Sequence, residues 1–543
     1  MEVLSGHRDY REVLGVYWCK ECNVPLISRK CNNCNSMGEY VAVDMKPVFS
    51  KEKEMYEDFF DLHLPDNLFV SRNRLILDGK TLCSFRIDFH KMKLVLATDR
   101  KKVLKRIDEA ECRSKEEFWD RVRKANESSL SEKINEAVGF IREVSQRYSN
   151  RFKVISFSGG KDSEVTADLV KKVLGNVPLF FADTTLEYKE TIEFIKEFAK
   201  KYNFELLTRE NDDFYRNDNC IWDMIRELGP PSIPYRWCCS VFKAYPVNLF
   251  HKSLKKETLA FDGIRKYESF RRRKYEQVSR IKKIANQLAA YPIFYWKELE
   301  VWFYIIFNRM IYNPLYEYGH RRVGCWLCPN ASPFNCFIRK KTHPEKWQQF
   351  EKVLLKYAYE HGRNKNWVIE NYWRLRRPKK DKIPRARREK KADNVFLYKF
   401  TSPIREHMFE FFKPLGEYQR GVNQPGGAEE KVIKIGSGNP ISIKGFLEKK
   451  EIIVEIKEKN ELKNFERQLL KAMNCIGCGG CIGHCPNGAL YIKDKILRID
   501  DSRCTKCRKC ITAPCVSLDY KIEKAVISGV KDEIRRDDRG RDL

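Results

Sequence analysis

The stretch SFSGGKDS, from Ser156 to Ser163, gathers glycines, hydroxyls, a lysine and an acid within eight residues. Gly159 and Gly160 let a ligand approach the backbone closely, and the free N–H groups at a helix start favour an anion. Ser158, Lys161 and Ser163 add donors, with Asp162 between them. This set predicts the binding of a phosphate-like group. The spacing is not the Gly-x-x-x-x-Gly-Lys of the common phosphate loop.

Cysteine is the second chemistry-bearing residue. The chain has 20, and in a reducing compartment such a count points to metal rather than disulfides. Cys19-x-x-Cys22 and Cys31-x-x-Cys34 supply four thiolates, enough to close a tetrahedral zinc site, with iron in the same cage as the alternative. Near the C-terminus, Cys475-x-x-Cys478-x-x-Cys481-x-x-x-Cys485-Pro486 is a bacterial ferredoxin run, and Cys504-x-x-Cys507-x-x-Cys510 closes with Cys515. In such modules the fourth cysteine of each run serves the other cluster. The expected sets are therefore Cys475, Cys478, Cys481 and Cys515 for one [4Fe–4S] cluster, and Cys504, Cys507, Cys510 and Cys485 for the other. The second run is irregular, with four residues before Cys515 and no proline after it. Cys83, Cys112, Cys220 and Cys336 belong to none of these groups.

Regular elements must hold these residues in place. KVISF, VPLFFAD, FELLT and ETLAFDGI read as buried strands, and LEYKETIEFIKEFAKKY and EVTADLVKKVL as amphipathic helices. Alternation of such runs predicts a doubly wound parallel sheet whose ligands collect at the C-terminal strand ends. The loop 158–163, Asp183 and Gly263-Ile264-Arg265 all fall there. Upstream, LFVSRNRLILDGKTLCSFRID alternates around an Asp78-Gly79 turn.

Longer stretches carry a family resemblance. The loop resembles the SGGxDS loop of the PP-loop ATP pyrophosphatase superfamily. YRWCCSVFKAYP (with Arg236, Cys238, Cys239 and Lys243), GIRKYESFRRR, YPIFYWKELEVWFYI and NPLYEYGHRRVGCWLCP resemble, in order, segments of the iron–sulfur phosphoadenosine-phosphosulfate reductase family. The resemblance covers about two hundred residues. It implies a [4Fe–4S] cluster on Cys238, Cys239, Cys325 and Cys328. It also implies a nucleotide held by Ser158, Gly159, Gly160, Lys161, Asp162, Ser163, Asp183 and Arg236, with Lys161, Arg265, Arg271 and Arg322 acting on its anionic groups and Arg272 beside them. Two departures stand out: the family's C-terminal Glu-Cys-Gly motif is missing, and Thr185 occupies a position where the family has glycine.

The expected architecture is multidomain α/β. It comprises a zinc ribbon (1–45), a small α/β module (46–130), the PP-loop domain (131–345), a basic helical linker with a strand-rich piece (346–470), a ferredoxin domain (471–520) and a charged tail (521–543). A net charge of +29 implies an acidic partner or substrate. The run RLRRPKKDKIPRARREKK reads as a solvated linker, with RNA binding as the alternative. The longest apolar stretch, VWFYIIF, is too short for a membrane span, and the first residues lack a signal-peptide pattern, so a cytoplasmic location is expected. The leading expectation is a sulfonucleotide reductase with its redox donor, a ferredoxin, fused on. The alternative is cleavage of ATP to activate an RNA base for sulfur transfer.

Overall fold

The computed structural model of the chain describes residues 15–110, 114–210, 219–254, 256–280, 284–377, 386–420, 432–435, 441–446, 450–456, 458–493, 496–513, 515, 517 and 523–524. The chain divides into two compact units, Met1–Arg377 and Pro378–Leu543.

The first unit begins with a three-stranded antiparallel sheet, β2 (Val24–Leu26), β1 (Val16–Cys19) and β3 (Glu39–Ala42). A five-stranded sheet follows, formed by β4 (Lys46–Pro47), β5 (Phe69–Ser71), β6 (Arg74–Leu77), β7 (Lys80–Asp88) and β8 (Lys93–Leu96) in sequential order. The β6–β7 turn is the Asp78-Gly79 pair, with φ of 48° and 73°, the double positive φ that a tight hairpin needs. A Cβ on Gly79 would lie 2.5 Å from the Trp18 ring, so the hairpin is packed directly on the ribbon. Tyr56, Phe60, Leu75, Leu82 and Phe85 form the core of this module, and Phe334, Phe337 and Ile338 from far downstream complete it. It is therefore not a free-standing domain.

The central sheet has six strands in the order β11 (Leu206–Glu210), β10 (Leu179–Asp183), β9 (Phe152–Ser156), β12 (Thr258–Asp262), β14 (Gln287–Ala290) and β13 (Val278–Arg280). All neighbours run parallel except β13 with β14. The four strands read from the sequence are present, and Lys161–Leu174 and Lys189–Lys201 are the expected helices. β10 lies on one side of β9 and β12 on the other. The connections after β9 and β12 thus diverge, opening the crevice at which doubly wound sheets bind ligands.

Domain edges differ from expectation. A single helix, Lys115–Arg147, runs through the expected boundary at 130, because Val122, Ala125, Leu130, Ala137 and Ile141 keep one buried face throughout. In the second unit, β15 (Ala386–Ala392) takes up part of the basic run. It pairs with β16 (Val395–Phe400), which places Arg387 and Arg388 in a ladder rather than in a solvated linker. β17 (Tyr418–Arg420), β18 (Val432–Ile435), β19 (Ile441–Phe446) and β20 (Glu451–Ile456) extend that sheet, and β23 (Glu523–Lys524) edges it. A hairpin of β21 (Leu490–Lys493) and β22 (Ile496–Ile499) lies within the cysteine-rich module. The tail KDEIRRDDRGRDL lies outside the described residues. No described helix is long and apolar enough to cross a membrane.

One ion pair in the small module is wholly enclosed. Lys46 Nζ lies 2.5 Å from Glu52 Oε2, and Glu52 also accepts from Tyr56 OH at 3.0 Å. Replacing Glu52 by Ala strands a buried ammonium and should cost about 3–5 kcal/mol, whereas replacing both partners by apolar residues should recover most of it. Denaturant midpoints of the full chain, followed by tryptophan fluorescence, check both outcomes.

Candidate functional site

The loop after β9 is braced from several sides. Gly159 has φ of 68°, and a Cβ there would meet Ile195 at 2.9 Å and Thr191 at 3.0 Å, so only glycine fits. Ser163 Oγ donates to the Gly160 carbonyl at 2.7 Å and accepts from the Ser158 and Gly160 amides at 3.3 Å each. The Ser163 hydroxyl is thus committed to the loop's own backbone, while Ser158 is exposed. The fully buried Asn313 donates to the Gly159 carbonyl at 2.9 Å and to Thr191 Oγ1 at 3.1 Å. Tyr316 OH accepts from the Lys161 amide at 3.1 Å. Gly263, just past β12, comes so close that a Cβ would lie 2.5 Å from the carbonyl carbon of Asp162.

Lys161 and Arg265 are buried beneath this loop rather than open to solvent. Lys161 Nζ lies 3.1 Å from Asp162 Oδ2 and 3.5 Å from Glu298 Oε1. Arg265 Nε donates to Asp162 Oδ1 at 2.7 Å, and its other end faces Asp44 Oδ2 at 3.7 Å. Burial alone would raise the pKa of Asp162, but Arg265 and Lys161 outweigh it and hold the carboxyl well below its usual range. Burial opposes the charge on Lys161 in turn, and Asp162 and Glu298 more than restore it.

Further cations line the strand ends. Arg272 pairs with Glu268, and Arg322 NH1 lies 3.2 Å from the other oxygen of that carboxylate. Burial, and then the charge of Arg322, pull Arg272 down to about 10, with Arg265 adding to the repulsion. Arg272 and Arg322 repel each other and share one Glu268, and Arg265 adds a third guanidinium nearby, an excess of positive charge that suits a multiply charged anion. Arg271 and Lys243 are exposed and Arg236 half-buried. Asp262, at the end of β12, has one buried oxygen without a hydrogen-bond partner. Burial pushes its carboxyl up to about 6, against the Ser156 hydroxyl, Lys243 and Arg272. An oxygen in that state suits a hydroxyl or amino donor from a ligand.

The central cysteines meet beside the same crevice. Cys238 precedes a π-helical turn, Cys239–Ala244, a distortion that lets two adjacent residues serve one site. Cys238 is held far above the ordinary thiol range by its hydrogen bond with Cys239 and by burial, with Cys328 and Cys325 adding to the effect. Cys325 Sγ lies 3.7 Å from both Thr184 Oγ1 and Glu187 Oε1, one and four residues past Asp183 at the end of β10. Arg339 fixes the Cys325–Cys328 knuckle by donating to the Trp326 carbonyl at 2.6 Å and the Cys328 carbonyl at 3.4 Å. These four thiols are neighbours without the mutual contact that one tetrahedral ion requires. That spread fits a cubane with a ligand at each of four corners. Asp183 accepts from the Thr185 amide at 2.7 Å, and Thr185 has φ of 60°, the conformation for which a glycine would be the easier residue.

In the second unit two cysteines have separate sets of thiol neighbours. Cys481 is raised by burial and by Cys515, Cys475 and Cys478. Cys510 is raised to about 11 by burial, with Cys504, Cys485 and Cys507 contributing. Cys485, Cys504, Cys507 and Cys510 also line one pocket. In the ribbon, one sulfur from each of Cys19, Cys22, Cys31 and Cys34 lies within 4.8 Å of the others, the packing of a single tetrahedral ion. Of the unassigned thiols, Cys83 and Cys336 are wholly buried in apolar cores. The Cys112 residue and the Cys220 side chain lie outside the described residues.

Sequence reasoning did not find Asn313, Tyr316, Glu298, Asp44 or Asp262. Tyr316 sits in the quoted NPLYEYGHRR segment, whose leading Asn313 carried a readable sign: a polar residue directly before a proline in an apolar stretch. Asp44 and Glu298 are distant in sequence and carried none.

Residues 152–331 match the phosphoadenosine phosphosulfate reductase domain. An uncharacterized protein of Methanocaldococcus jannaschii is 34% identical over 261 residues, covering 48% of this chain and 53% of the relative. The chain thus spans about half the length of that relative. The adenosine 5′-phosphosulfate reductase of Lysinibacillus sphaericus is 28% identical over 226 residues, 40% of this chain and 89% of that enzyme. Among solved structures, phosphoadenylyl-sulfate reductase from Candida auris in a phosphate complex is 18% identical, with a TM-score of 0.28, and covers 40% of this chain and 97% of that one.

Two measurements test the site. Anaerobically prepared protein should carry about twelve irons and one zinc per chain, three four-iron clusters and one thiolate cage; elemental analysis decides this, and four or fewer irons after reconstitution would contradict it. Asn313→Ala removes the hydrogen bonds to the Gly159 carbonyl and Thr191 and should weaken nucleotide binding by about 1–3 kcal/mol, the cost of leaving the buried Gly159 carbonyl unpaired; calorimetric titration reads it.

Proposed function

From a core, residues 152–331, that matches the phosphoadenosine phosphosulfate reductase domain, we propose that the chain is an iron–sulfur oxidoreductase that reduces an adenine sulfonucleotide. In this reading the loop 158–163 seats the phosphosulfate end, with the exposed Ser158 facing it. Asp183 and Asp262, at the ends of β10 and β12, receive donors from the nucleoside. Arg236, Arg271, Arg272 and Arg322 neutralise the anion. Lys161 and Arg265 act from beneath, keeping the loop rigid and its underside positive.

One observation carries the reading. Cys325 Sγ lies 3.7 Å from Thr184, directly beyond the β10 end where the nucleotide would sit. A cysteine set able to hold a redox cluster would then lie by the same strand ends as the anion-binding loop. A four-iron cluster on Cys238, Cys239, Cys325 and Cys328 would supply a polarisable, redox-active neighbour to the sulfate. The overall change needs two electrons and a proton. The S–O bond to the bridging oxygen breaks, adenosine phosphate leaves with that oxygen, and sulfite is released. Among the described residues neither unassigned thiol is exposed to attack sulfur, so the electrons are assigned to the eight-cysteine module. Two four-iron clusters, each handling one electron, match the need for two.

The test pairs nucleotides with products. Anaerobic protein given adenosine 5′-phosphosulfate or its 3′-phosphorylated form, with a low-potential reductant, should release sulfite, and Cys478→Ser should abolish turnover while leaving nucleotide affinity unchanged. Mg²⁺-dependent pyrophosphate release from ATP, unaffected by Cys478→Ser, would replace the reductase reading with ATP cleavage. Arg272→Ala should weaken sulfonucleotide binding by about 1.5–3 kcal/mol, the scale of a charge-assisted hydrogen bond, as read by calorimetry.

A further inference from the structure

The ion network beneath the loop ends on a residue from outside the matched domain. Asp44 follows β3 of the cysteine ribbon by two residues. Its carboxylate accepts from the Glu298 amide at 2.9 Å and the Leu299 amide at 3.3 Å, capping the helix Glu298–Phe307. The same carboxylate faces Arg265 NH1 at 3.7 Å, and Arg265 holds Asp162 through Nε at 2.7 Å. Glu298, whose amide Asp44 holds, faces Lys161 at 3.5 Å. Two branches therefore run from Asp44 to the two charged residues of the loop, one through Arg265 to Asp162 and one through Glu298 to Lys161.

We propose that Asp44 is a positioning residue for the nucleotide loop, so that the N-terminal ribbon is a working part of the site. Arg265 is almost completely buried and has three acidic neighbours, Asp162, Glu298 and Asp44. Without Asp44 its NH1 loses the carboxylate 3.7 Å away, and its hold on Asp162 is no longer fixed in direction. Loss of the cap frees two amides at the start of the Glu298 helix, so Glu298 shifts relative to Lys161. The ribbon itself is anchored against this region: Lys297 Nζ donates to the Gly15 and Ile27 carbonyls at 2.8 and 2.9 Å, and Asn126 bonds the Ile27 amide and the Pro25 carbonyl at 2.9 Å each. The position of Asp44 therefore depends on the ribbon's fold, which a single ion in the Cys19, Cys22, Cys31 and Cys34 cage would secure.

Amide hydrogen exchange on the full chain without any nucleotide tests this, so its outcome is independent of which nucleotide binds. The Ser158, Gly160, Lys161 and Ser163 amides are all hydrogen-bonded in the loop, which gives them measurable protection. Asp44→Asn keeps an acceptor for the helix amides and removes only the charge. It should speed exchange across 158–163 by about tenfold, while β1, β2 and the small module keep their rates and the thermal midpoint stays close to that of the unsubstituted chain. Asp44→Glu should restore protection in part. Combining Asp44→Asn with Arg265→Gln should add little beyond Arg265→Gln alone, because both act through one contact. Unchanged loop exchange in Asp44→Asn, additive effects in the double variant, or a uniform rise across the whole first unit would each overturn the proposal.

Discussion

Two cations, Lys161 and Arg265, are buried under a loop suited to hold an anion, and much of the first unit is arranged around that demand. A buried ammonium or guanidinium persists only where opposite charges surround it at close range. Asp162 lies between the two cations, Glu298 approaches from the start of a helix and Asp44 from the ribbon. Each acid comes from a separate element, so the network cannot form until the sheet, the Glu298 helix and the ribbon have assembled. That makes the loop's geometry a property of the tertiary structure rather than of its own eight residues.

The fold of the core was legible because its signals are local. β-branched and aromatic runs, helical spacing and glycines at strand ends each specify one element, and the parallel character of the sheet follows from their alternation. Cysteine grouping was legible for a similar reason, since knuckle spacing fixes which sulfurs can approach one metal site. What could not be read was long-range. Asp44 meets Arg265 across more than two hundred residues, and nothing about a lone aspartate after a strand announces that partner. The function of Ser163 was misjudged in the same way: its hydroxyl reads as a ligand donor in the sequence, yet the loop's own amides and carbonyl occupy it. The edge of the small module was invisible because its apolar pattern gives no sign that Phe334 and Phe337 complete its core.

The three cysteine settings in the chain separate by geometry. In the ribbon the sulfurs nearly touch, which suits one ion. The central set and the two terminal quartets are close enough to feel one another's charge without touching as a group, which suits a larger inorganic core. Adjacent cysteines in a regular α-helix point about a quarter-turn apart; the π-helical turn after Cys238 changes that angle. Glu187 and Thr184 against Cys325 then place polar groups next to a sulfur, and hydrogen bonding to cluster sulfurs is a principal control on potential.

In the proposed reading, a carboxyl this near Cys325 also bears on how reduction would proceed without a mobile thiol. Attack by a cysteine on sulfate sulfur splits a two-electron reduction into a covalent step and a release step, each chemically easier. Direct reduction has to bring two electrons and a proton together at one time and place. In the proposed reading, a donor module on the same chain would meet the first requirement through its high effective concentration, which does not depend on encounter with a separate protein. The second is met if a proton-bearing group stands at the crevice. Burial raises the pKa of both Glu187 and Asp262, and they flank the ends of β10 and β12 where the nucleotide would lie. In the reductase reading, two such acids at these strand ends would be placed to deliver a proton at the crevice.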